Sequence, residues 1–253
     1  MDSVVDEFVI IESRRTFSGY YKPELFFEKN YQNIKHYSKK IKFFVVDEIP
    51  DPTDKWLKKN RKNRWMHDKE AWFRENYQRD YGSEYILKKY EQCVIIGTDL
   101  DEIPKKDVVS RTNLESGEVR HLEMDLFYYN ANWKKKSTWN LGFICDSQAL
   151  VNQSLSEIRI EGKIREKVLS AGWHFSYFLS LENISNKIRR AAHTEFDKPK
   201  YYSESNIKKC ISNGKDLFGR AWGEKLNYFT DIQELPIDFQ NLHNEVLELQ
   251  KEI

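Results

Sequence analysis

The sequence lacks the features that would place it in several common classes of protein. Its three cysteines in 253 residues, Cys93, Cys145 and Cys210, are odd in number and have no zinc-binding spacing, so neither a disulfide framework nor a zinc site is expected. Buried, reduced thiols are consistent with a reducing compartment. No apolar run approaches the length of a membrane span, and the first residues lack the pattern of a signal peptide. The chain as given is therefore expected to be soluble and cytoplasmic; a missing N-terminal segment would leave its location open.

The sequence also lacks an excess of either charge. Its 41 Lys and Arg residues nearly balance its 40 Asp and Glu residues, which leaves a formal charge of +1, and this argues against a dedicated nucleic-acid-binding protein. Residues 54–64 nevertheless carry six basic side chains together with Trp56, and Trp65 follows directly. Such a segment can grip phosphate groups, but a solvated loop between a strand and a helix is the simpler interpretation.

The first hundred residues have the pattern of an α/β protein. Apolar, β-branched runs predict strands at residues 4–11, 41–46 and 93–96. Helical patterns lie between them, at residues 23–38, at residues 68–79 with Asp68 as the N-cap, and after Gly82. This alternation predicts a parallel sheet with crossover helices. A hydrophobic content of 40% is ordinary for a folded domain.

The most informative segment follows the third predicted strand. Asp99, Asp101 and Glu102 come directly after the apolar run, and Pro104 prevents the strand from continuing. On extended backbone Asp99 and Asp101 would point to the same face. Two such carboxylates repel each other unless a cation lies between them, and oxygen ligands favour Mg²⁺ or Mn²⁺. At the carboxyl end of a strand this predicts a metal that carries phosphate groups, with a plain acidic turn as the open alternative.

Further candidate residues lie on either side of this motif. On the helix before it, Trp72, Glu75 and Arg79 share one face. Arg79 and the adjacent Gln78 could hold a diphosphate or a base, because a guanidinium group matches phosphate geometry; a surface ion pair between Glu75 and Arg79 is the alternative.

A second group of candidates follows in the C-terminal half. His174 lies in an aromatic block, where it could complete a metal shell or simply sit in the core. His193 and Glu195 could both face a cleft if the backbone is extended there, and a carboxylate beside a sugar hydroxyl can act as a general base. The tryptophans that could stack on sugar rings are Trp133, Trp139 and Trp173.

Taken in order along the chain, these pieces resemble glycosyltransferase family 17. The matching positions are residues 5–12, 16–19 and 22–23, then Trp72, Glu75, Gln78 and Arg79, residues 99–104, Trp139 and Gly142, residues 172–176, and finally Lys187, His193 and Glu195. Each piece alone is a weak match, but their order makes the resemblance strong.

The resemblance implies a metal-dependent, inverting glycosyltransferase of the GT-A type, with a mixed, mainly parallel sheet flanked by helices. The donor would be a nucleotide sugar, most simply a UDP-sugar, and the cofactor Mn²⁺ or Mg²⁺. A sugar of the N-acetylglucosamine kind would be transferred to a glycan or glycoprotein acceptor.

The resemblance also assigns roles to residues. Asp101 would bind the metal directly and act in catalysis, with Asp99 and His174 completing the metal shell. The residues expected at the donor are Glu12, Gln78, Arg79, Asp99, Trp173 and His193. Glu195 is the first choice for the catalytic base, and Glu123 and Asp125 compete for that role.

The resemblance also predicts how the chain is organised. Residues 1–200 are expected to form the catalytic domain and residues 201–253 a helical extension packed on it. Members of the family usually carry a further strand before residues 5–12, so the sheet is expected to lack that strand, because a terminal piece is missing or because the domain is reduced.

Two other functions compete with this hypothesis. One is a non-catalytic glycan-binding or scaffold remnant with the same fold. The other is a phosphatase of the Asp-x-Asp-x-Thr kind, which is disfavoured because Ile103 stands where that motif needs threonine.

Overall fold

The computed structural model describes residues 1–162, 165–220 and 226–251, which form a mixed α/β structure. Within these ranges, the strands are β1 (Phe8–Ser13), β2 (Ile41–Val46), β3 (Val94–Gly97), β4 (Glu102–Pro104), β5 (Val119–Tyr128), β6 (Asn130–Lys134), β7 (Phe143–Asp146), β8 (Lys167–Ser176) and β9 (Asn227–Tyr228). The α-helices are α1 (Phe26–Ile34), α2 (Asp54–Lys59), α3 (Lys69–Asp80), α4 (Ser83–Lys89), α5 (Lys106–Val109), α6 (Leu155–Ile160), α7 (Leu181–Arg190), α8 (Pro199–Tyr202), α9 (Glu204–Asn213) and α10 (Ile237–Lys251). No helix in this part of the chain has both the length and the apolar character needed to cross a membrane.

The strands form two separate sheets. In the smaller one, β1 and β2 run parallel to each other. In the larger one the order is β3-β7-β5-β6-β9, with β8 beside β5 and β4 beside β8. Among the described strand pairs of the larger sheet, only β5–β8 is parallel, and the others are antiparallel. The prediction of a mainly parallel sheet is therefore wrong, while the mixed α/β class is confirmed. The GT-A type stays a prediction.

Strand β3 shows why the direction of the sheet was mispredicted. Its apolar, β-branched residues indicated a central strand of a parallel sheet, but β3 lies at an edge and pairs antiparallel with β7. Val94 is 56% exposed, whereas Ile95 is buried. A short apolar run does not reveal which strand will pair with it, because that choice depends on residues about fifty positions later in the chain.

The centre of the larger sheet is β5. Phe127 on β5 stacks on Phe175 of β8, with ring centroids 5.7 Å apart, and Phe239 of α10 covers Phe175 at 4.7 Å. Helix α10 therefore packs on the sheet. The predicted extension, residues 201–253, also contains β9, which pairs with β6; residues 221–225 and 252–253 of it lie outside the described residues. The domain boundary at residue 200 stays a prediction.

The loop that follows β1 makes hydrogen bonds to both α3 and α7. The predicted N-cap of α3 is confirmed, because the Asp68 carboxylate accepts a hydrogen bond of 2.9 Å from the backbone N of Ala71. Further along α3, the Arg74 guanidinium donates to the carbonyl of Phe17 at 2.6 Å. The Ser18 hydroxyl in the same loop donates to a carbonyl in the last turn of α7 at 3.0 Å. These contacts attach both helices to the same loop.

The last residue of β3, Gly97, lies against a ring of the neighbouring strand, and this predicts the effect of a substitution. A Cβ atom at Gly97 would lie 2.2 Å from the Phe143 ring, so Gly97→Ala should lower the free energy of unfolding by about 1–3 kcal/mol, as measured by urea denaturation. Adding Phe143→Leu should relieve part of the clash, so the double variant should lose less than the sum of the single losses. Strict additivity would contradict this account.

Candidate active site

The acidic motif forms a tight turn between β3 and β4. The backbone N of Glu102 donates to the carbonyl of Asp99 at 3.0 Å, and Leu100 at the tip is 89% exposed. The expectation that Asp99 and Asp101 lie on extended backbone with a common face is therefore wrong. The turn instead sends the three acidic side chains of the motif into three different surroundings.

Glu102 is the buried anchor of the turn, with a side chain that is fully enclosed. Its carboxylate accepts hydrogen bonds from both terminal nitrogens of Arg159, at 2.5 and 3.0 Å, and from the Trp139 indole at 2.5 Å. The backbone N of Asp99 donates to it as well, at 3.0 Å. These four donors occupy the carboxylate, so Glu102 fixes the turn and has no capacity left for a ligand.

Asp99 lies between two guanidinium groups. Arg79 approaches one carboxylate oxygen at 2.8 Å and Arg159 the other at 2.5 Å. Burial raises the pKa of Asp99, but the charges of Arg159 and Arg79 outweigh it and lower the pKa below its ordinary value. Arg79 also binds Glu75 at 3.1 Å. The ion pair with Glu75, which the sequence offered as the alternative to a ligand contact, is therefore present, and the same guanidinium group also contacts Asp99.

Asp101 faces a different pair of side chains, on β8 and α7. Lys187 lies 2.8 Å from one carboxylate oxygen, and the Nε2 atom of His174 lies 3.5 Å from the other. Burial raises the pKa of Asp101, but His174 and the charge of Lys187 together bring it well below its ordinary value. The Asp101 side chain keeps 28% of its surface exposed, so a ligand can still reach it.

His174 is positioned by the pairing of β4 with β8, which places it opposite Glu102. Its ring lies 4.5 Å from that of Trp139. The Nδ1 atom is buried and has no hydrogen-bond partner among the described residues. The imidazole can therefore act only through Nε2, which is the atom that faces Asp101.

Two cations of this site had no role in the sequence-based hypothesis. No sequence pattern indicated a role for Arg159, although the capping box Ser154-x-x-Glu157 predicts the helix on which it lies. Asp80 at the end of α3 accepts hydrogen bonds from the backbone N and the hydroxyl of Ser156, each at 2.7 Å, and so orients that helix. Lys187 belongs to the family-like pattern, but nothing in the sequence indicated its contact with Asp101.

His193 and Glu195 form a second polar pair. The backbone is not extended there, as the sequence hypothesis required, but forms a 3-10 turn at Thr194–Phe196. The turn still brings the side chains together, with 2.7 Å between Nδ1 of His193 and a carboxylate oxygen of Glu195. The His193 ring lies 4.9 Å from the ring of Trp72, edge to face. Helix α3 therefore carries both Arg79 and the residue that contacts this pair.

The structure does not bring the other predicted donor residues to the motif. Glu12 accepts from the backbone N atoms of Phe26 and Phe27 at 2.8 and 3.0 Å and so caps α1. Gln78 is bonded to the backbone of β1, accepting from Ser13 at 3.2 Å and donating to Ile11 at 3.3 Å. Both side chains are engaged in holding the smaller sheet, and their roles at the donor stay predictions.

Three further candidates lie on β8 and β5. The side chain of Trp173 points to the face of β8 opposite that of His174. Its ring packs on the ring of Phe239 of α10, with 5.1 Å between the centroids. Asp125 is opposite Trp173 in the strand register and pairs with Lys134 at 2.9 Å. Glu123 lies two residues earlier on β5. The structure does not test the roles of these three residues.

Among the described residues, no group of three His, Cys, Asp or Glu side chains is arranged to hold a metal ion. Asp99, Asp101 and His174 therefore do not form a ready shell of three protein ligands. Asp101 and His174 could provide two of the ligands, whereas both oxygens of Asp99 already face guanidinium groups.

Comparison with known proteins identifies the class. The family model described as Glycosyltransferase family 17 matches residues 1–236, which include the acidic turn and the His193–Glu195 pair. No curated protein and no solved structure matches the chain. The chain belongs to glycosyltransferase family 17, and the resemblance seen in the sequence is confirmed. Membership supports a glycosyltransferase that uses a nucleotide-sugar donor and a glycan acceptor.

The anchoring of Glu102 predicts the cost of removing its cation. Arg159→Met should leave a fully buried carboxylate without its main partner and lower the free energy of unfolding by about 3–5 kcal/mol, as measured by urea denaturation. Arg111→Met is the matched control, since Arg111 pairs with Asp107 on the exposed surface of α5, and it should change little. Equal losses in the two variants would contradict the role of Arg159.

Proposed function

We propose that the protein is a metal-dependent, inverting glycosyltransferase that moves an N-acetylglucosamine-like sugar from a UDP-sugar to a glycan acceptor. The observation that carries this proposal is the turn at residues 99–102, where two partly exposed carboxylates are held ionised beside basic side chains. The family supports the transfer of a sugar from a nucleotide donor. The identity of the sugar and the inversion rest on the resemblance of the sequence.

The balance of charge at the turn favours a divalent cation. Three cations, Arg79, Arg159 and Lys187, face four carboxylates, which are Glu75, Asp99, Asp101 and Glu102. The carboxylates are in excess, so a nucleoside diphosphate would be repelled on its own. It would bind far better together with Mn²⁺ or Mg²⁺, which would neutralise the leaving diphosphate.

The side chains at Asp101 fit such an ion. The Nε2 atom of His174 and the nearer oxygen of Asp101 are 3.5 Å apart, slightly more than the roughly 3 Å between neighbouring ligands of an octahedral ion that lie about 2.1 Å from it. Mg²⁺ keeps several waters and uses substrate phosphates as ligands, so two protein ligands are enough. Asp101 and His174 would therefore hold the ion, with Asp99 on the ribose or a metal-bound water.

The remaining residues divide between the leaving group and the acceptor. Arg79 and Lys187 would hold the diphosphate as the bond to the sugar breaks. Both place a positive charge against a carboxylate of the turn, and both side chains are partly exposed to solvent. Inversion requires a base on the face of the sugar opposite the leaving group. The His193–Glu195 pair would supply that base, and Trp72, which contacts it, lies two turns of α3 from Arg79.

Substitution of Asp101 tests the proposal. With Mn²⁺ present, a panel of nucleotide sugars should yield released nucleotide from the wild type, and Asp101→Ala should abolish this turnover and the metal-dependent binding of UDP. Its melting temperature should change little, because the side chain is partly exposed. Asp107→Ala is the control, since Asp107 is an exposed aspartate with one ion-pair partner.

The result also separates the competing functions. Near-normal turnover of Asp101→Ala with Mn²⁺ present would contradict the metal site. A wild type that binds neither Mn²⁺ nor a nucleoside diphosphate, while still binding glycans, would favour the non-catalytic remnant.

Arg79 provides a test of the donor side. Arg79→Lys keeps the charge but removes the fork that contacts Glu75 and Asp99 together, so the affinity for UDP with Mn²⁺, measured by calorimetry, should fall by about tenfold. Arg111→Lys on the exposed surface should leave it unchanged. Equal affinities of Arg79→Lys and the wild type would leave Arg79 with a structural role only.

A further inference from the structure

The hydrogen bond between His193 and Glu195 fixes which atom of the imidazole is available for chemistry. The Nδ1 atom of His193 lies 2.7 Å from a Glu195 carboxylate oxygen. An ionised carboxylate can only accept, so Nδ1 carries the proton and donates it to this bond. In the neutral imidazole the lone pair is then on Nε2. Within the described part of the chain, no hydrogen bond to Nε2 is present.

Exposure separates the two members of the pair. The His193 side chain keeps 47% of its surface exposed, against 20% for Glu195. The second carboxylate oxygen of Glu195 is buried and has no hydrogen-bond partner among the described residues. A substrate can therefore reach the imidazole, while the carboxylate lies behind it. This is the arrangement of a base with a positioning carboxylate.

The orientation of the imidazole is held from several sides. Ala192, just before it, is 1% exposed and packs with Trp72 in one hydrophobic cluster. The backbone N of Phe196 donates to the carbonyl of His193 at 3.0 Å, which closes the turn. The rings of Trp72 and Phe196 lie 4.9 and 5.6 Å from the imidazole. Among the described residues, the Nε1 atom of Trp72 and the second carboxylate oxygen of Glu195 are buried without a hydrogen-bond partner, so both could bond to a ligand or a water.

An exposed aromatic ring continues this cluster toward solvent. Trp65 is 41% exposed and lies edge to face against Trp72, with 4.7 Å between the ring centroids. The loop that presents it is ordered by its own hydrogen bonds: Lys69 donates to the carbonyls of Asn60 and Asn63 at 2.8 and 2.9 Å. A tryptophan held in this way offers a rigid apolar face with a polar group at its edge, which suits a partner that is part apolar and part polar, such as a sugar ring.

We propose that Trp65, Trp72 and the His193–Glu195 pair form the acceptor subsite, with Nε2 of His193 as the atom that takes the acceptor's proton. The inference rests on the proposed function and deepens it. The acceptor is a glycan whose terminal sugar stacks on Trp65 and presents a hydroxyl group to His193. Glu195 is a positioning residue and does not receive the proton, in contrast to the role that the sequence suggested for it.

The step balances without a further reactant. The acceptor oxygen forms a bond to the anomeric carbon of the donor sugar, and its O–H bond breaks as the proton passes to Nε2 of His193. The bond between the anomeric carbon and the phosphate oxygen breaks, and its electron pair leaves with the nucleoside diphosphate. The imidazolium that forms is stabilised by the Glu195 carboxylate on its other side.

The first test separates His193 from Glu195 by kinetics. His193→Ala should lower kcat by about 10²-fold or more with an unchanged affinity for UDP and Mn²⁺, and added imidazole should restore part of kcat. Glu195→Gln should lower kcat without imidazole rescue. His36→Ala, an exposed histidine beside α1, is the control. An inactive Glu195→Gln with a nearly normal His193→Ala would overturn the assignment and make Glu195 the base.

The second test does not require turnover. Imidazole nitrogen shifts of His193, measured by NMR in the full chain, should show the proton on Nδ1 in the wild type and lose that preference in Glu195→Ala. A proton on Nε2 in the neutral wild type would contradict the proposal. If no nucleotide sugar is turned over, the proposed function fails and the base role with it, whereas this measurement still decides the geometry of the pair.

The third test concerns Trp65. Trp65→Ala should raise the KM for the glycan acceptor by about tenfold or more, with kcat and the affinity for UDP nearly unchanged. Tyr228→Ala is the matched control, because Tyr228 is an exposed aromatic residue on β9, at 63%. An unchanged acceptor KM in Trp65→Ala would remove Trp65 from the subsite. Loss of UDP affinity instead would place it at the donor.

Discussion

The geometry of the site depends on one buried carboxylate. Glu102 is enclosed by protein, and its charge is tolerable only because Arg159, Trp139 and the backbone N of Asp99 all donate to it. The same contacts close the turn that carries Asp99 and Asp101. One of the two terminal nitrogens of Arg159 that donate to Glu102 also donates to Asp99. A single ion pair thus connects α6 to β4 and sets where the two exposed carboxylates stand.

The smaller sheet is connected to the acidic turn indirectly, through α3 and α7. The loop after β1 bonds to Arg74 on α3 and to the last turn of α7, while Arg79 and Lys187 of those helices reach the turn after β3. Among the described residues, no side-chain hydrogen bond or ion pair joins the smaller sheet to the acidic turn. Gln78 bonds α3 to the backbone of β1, whereas Glu12 caps α1. A family pattern alone could not separate residues that touch a ligand from residues that hold the frame.

Local signals in the sequence were predictable, and long-range pairing was not. The N-cap Asp68 and the bounds of β2 follow from short patterns, and the structure confirms them. The edge position of β3 depends on β7, and the turn at Asp99 depends on the burial of Glu102. Both need partners far along the chain that no local pattern names. The role of Arg159 was not predicted for the same reason. In the sequence, a buried arginine on a short helix cannot be distinguished from a surface arginine until its carboxylate partner is known.

Helix α3 connects the two halves of the site and sets the distance between them. Trp72 and Arg79 are seven residues apart, so they lie on the same face, roughly 10 Å apart along the helix axis. One end contacts His193 and the other Asp99. A sugar whose diphosphate lies at Arg79 would thus direct its opposite side toward the imidazole, as inversion requires. Because the spacing is set by a rigid helix, the two ends cannot approach each other, and in the proposed mechanism the donor sugar and the acceptor hydroxyl would together span the interval between them.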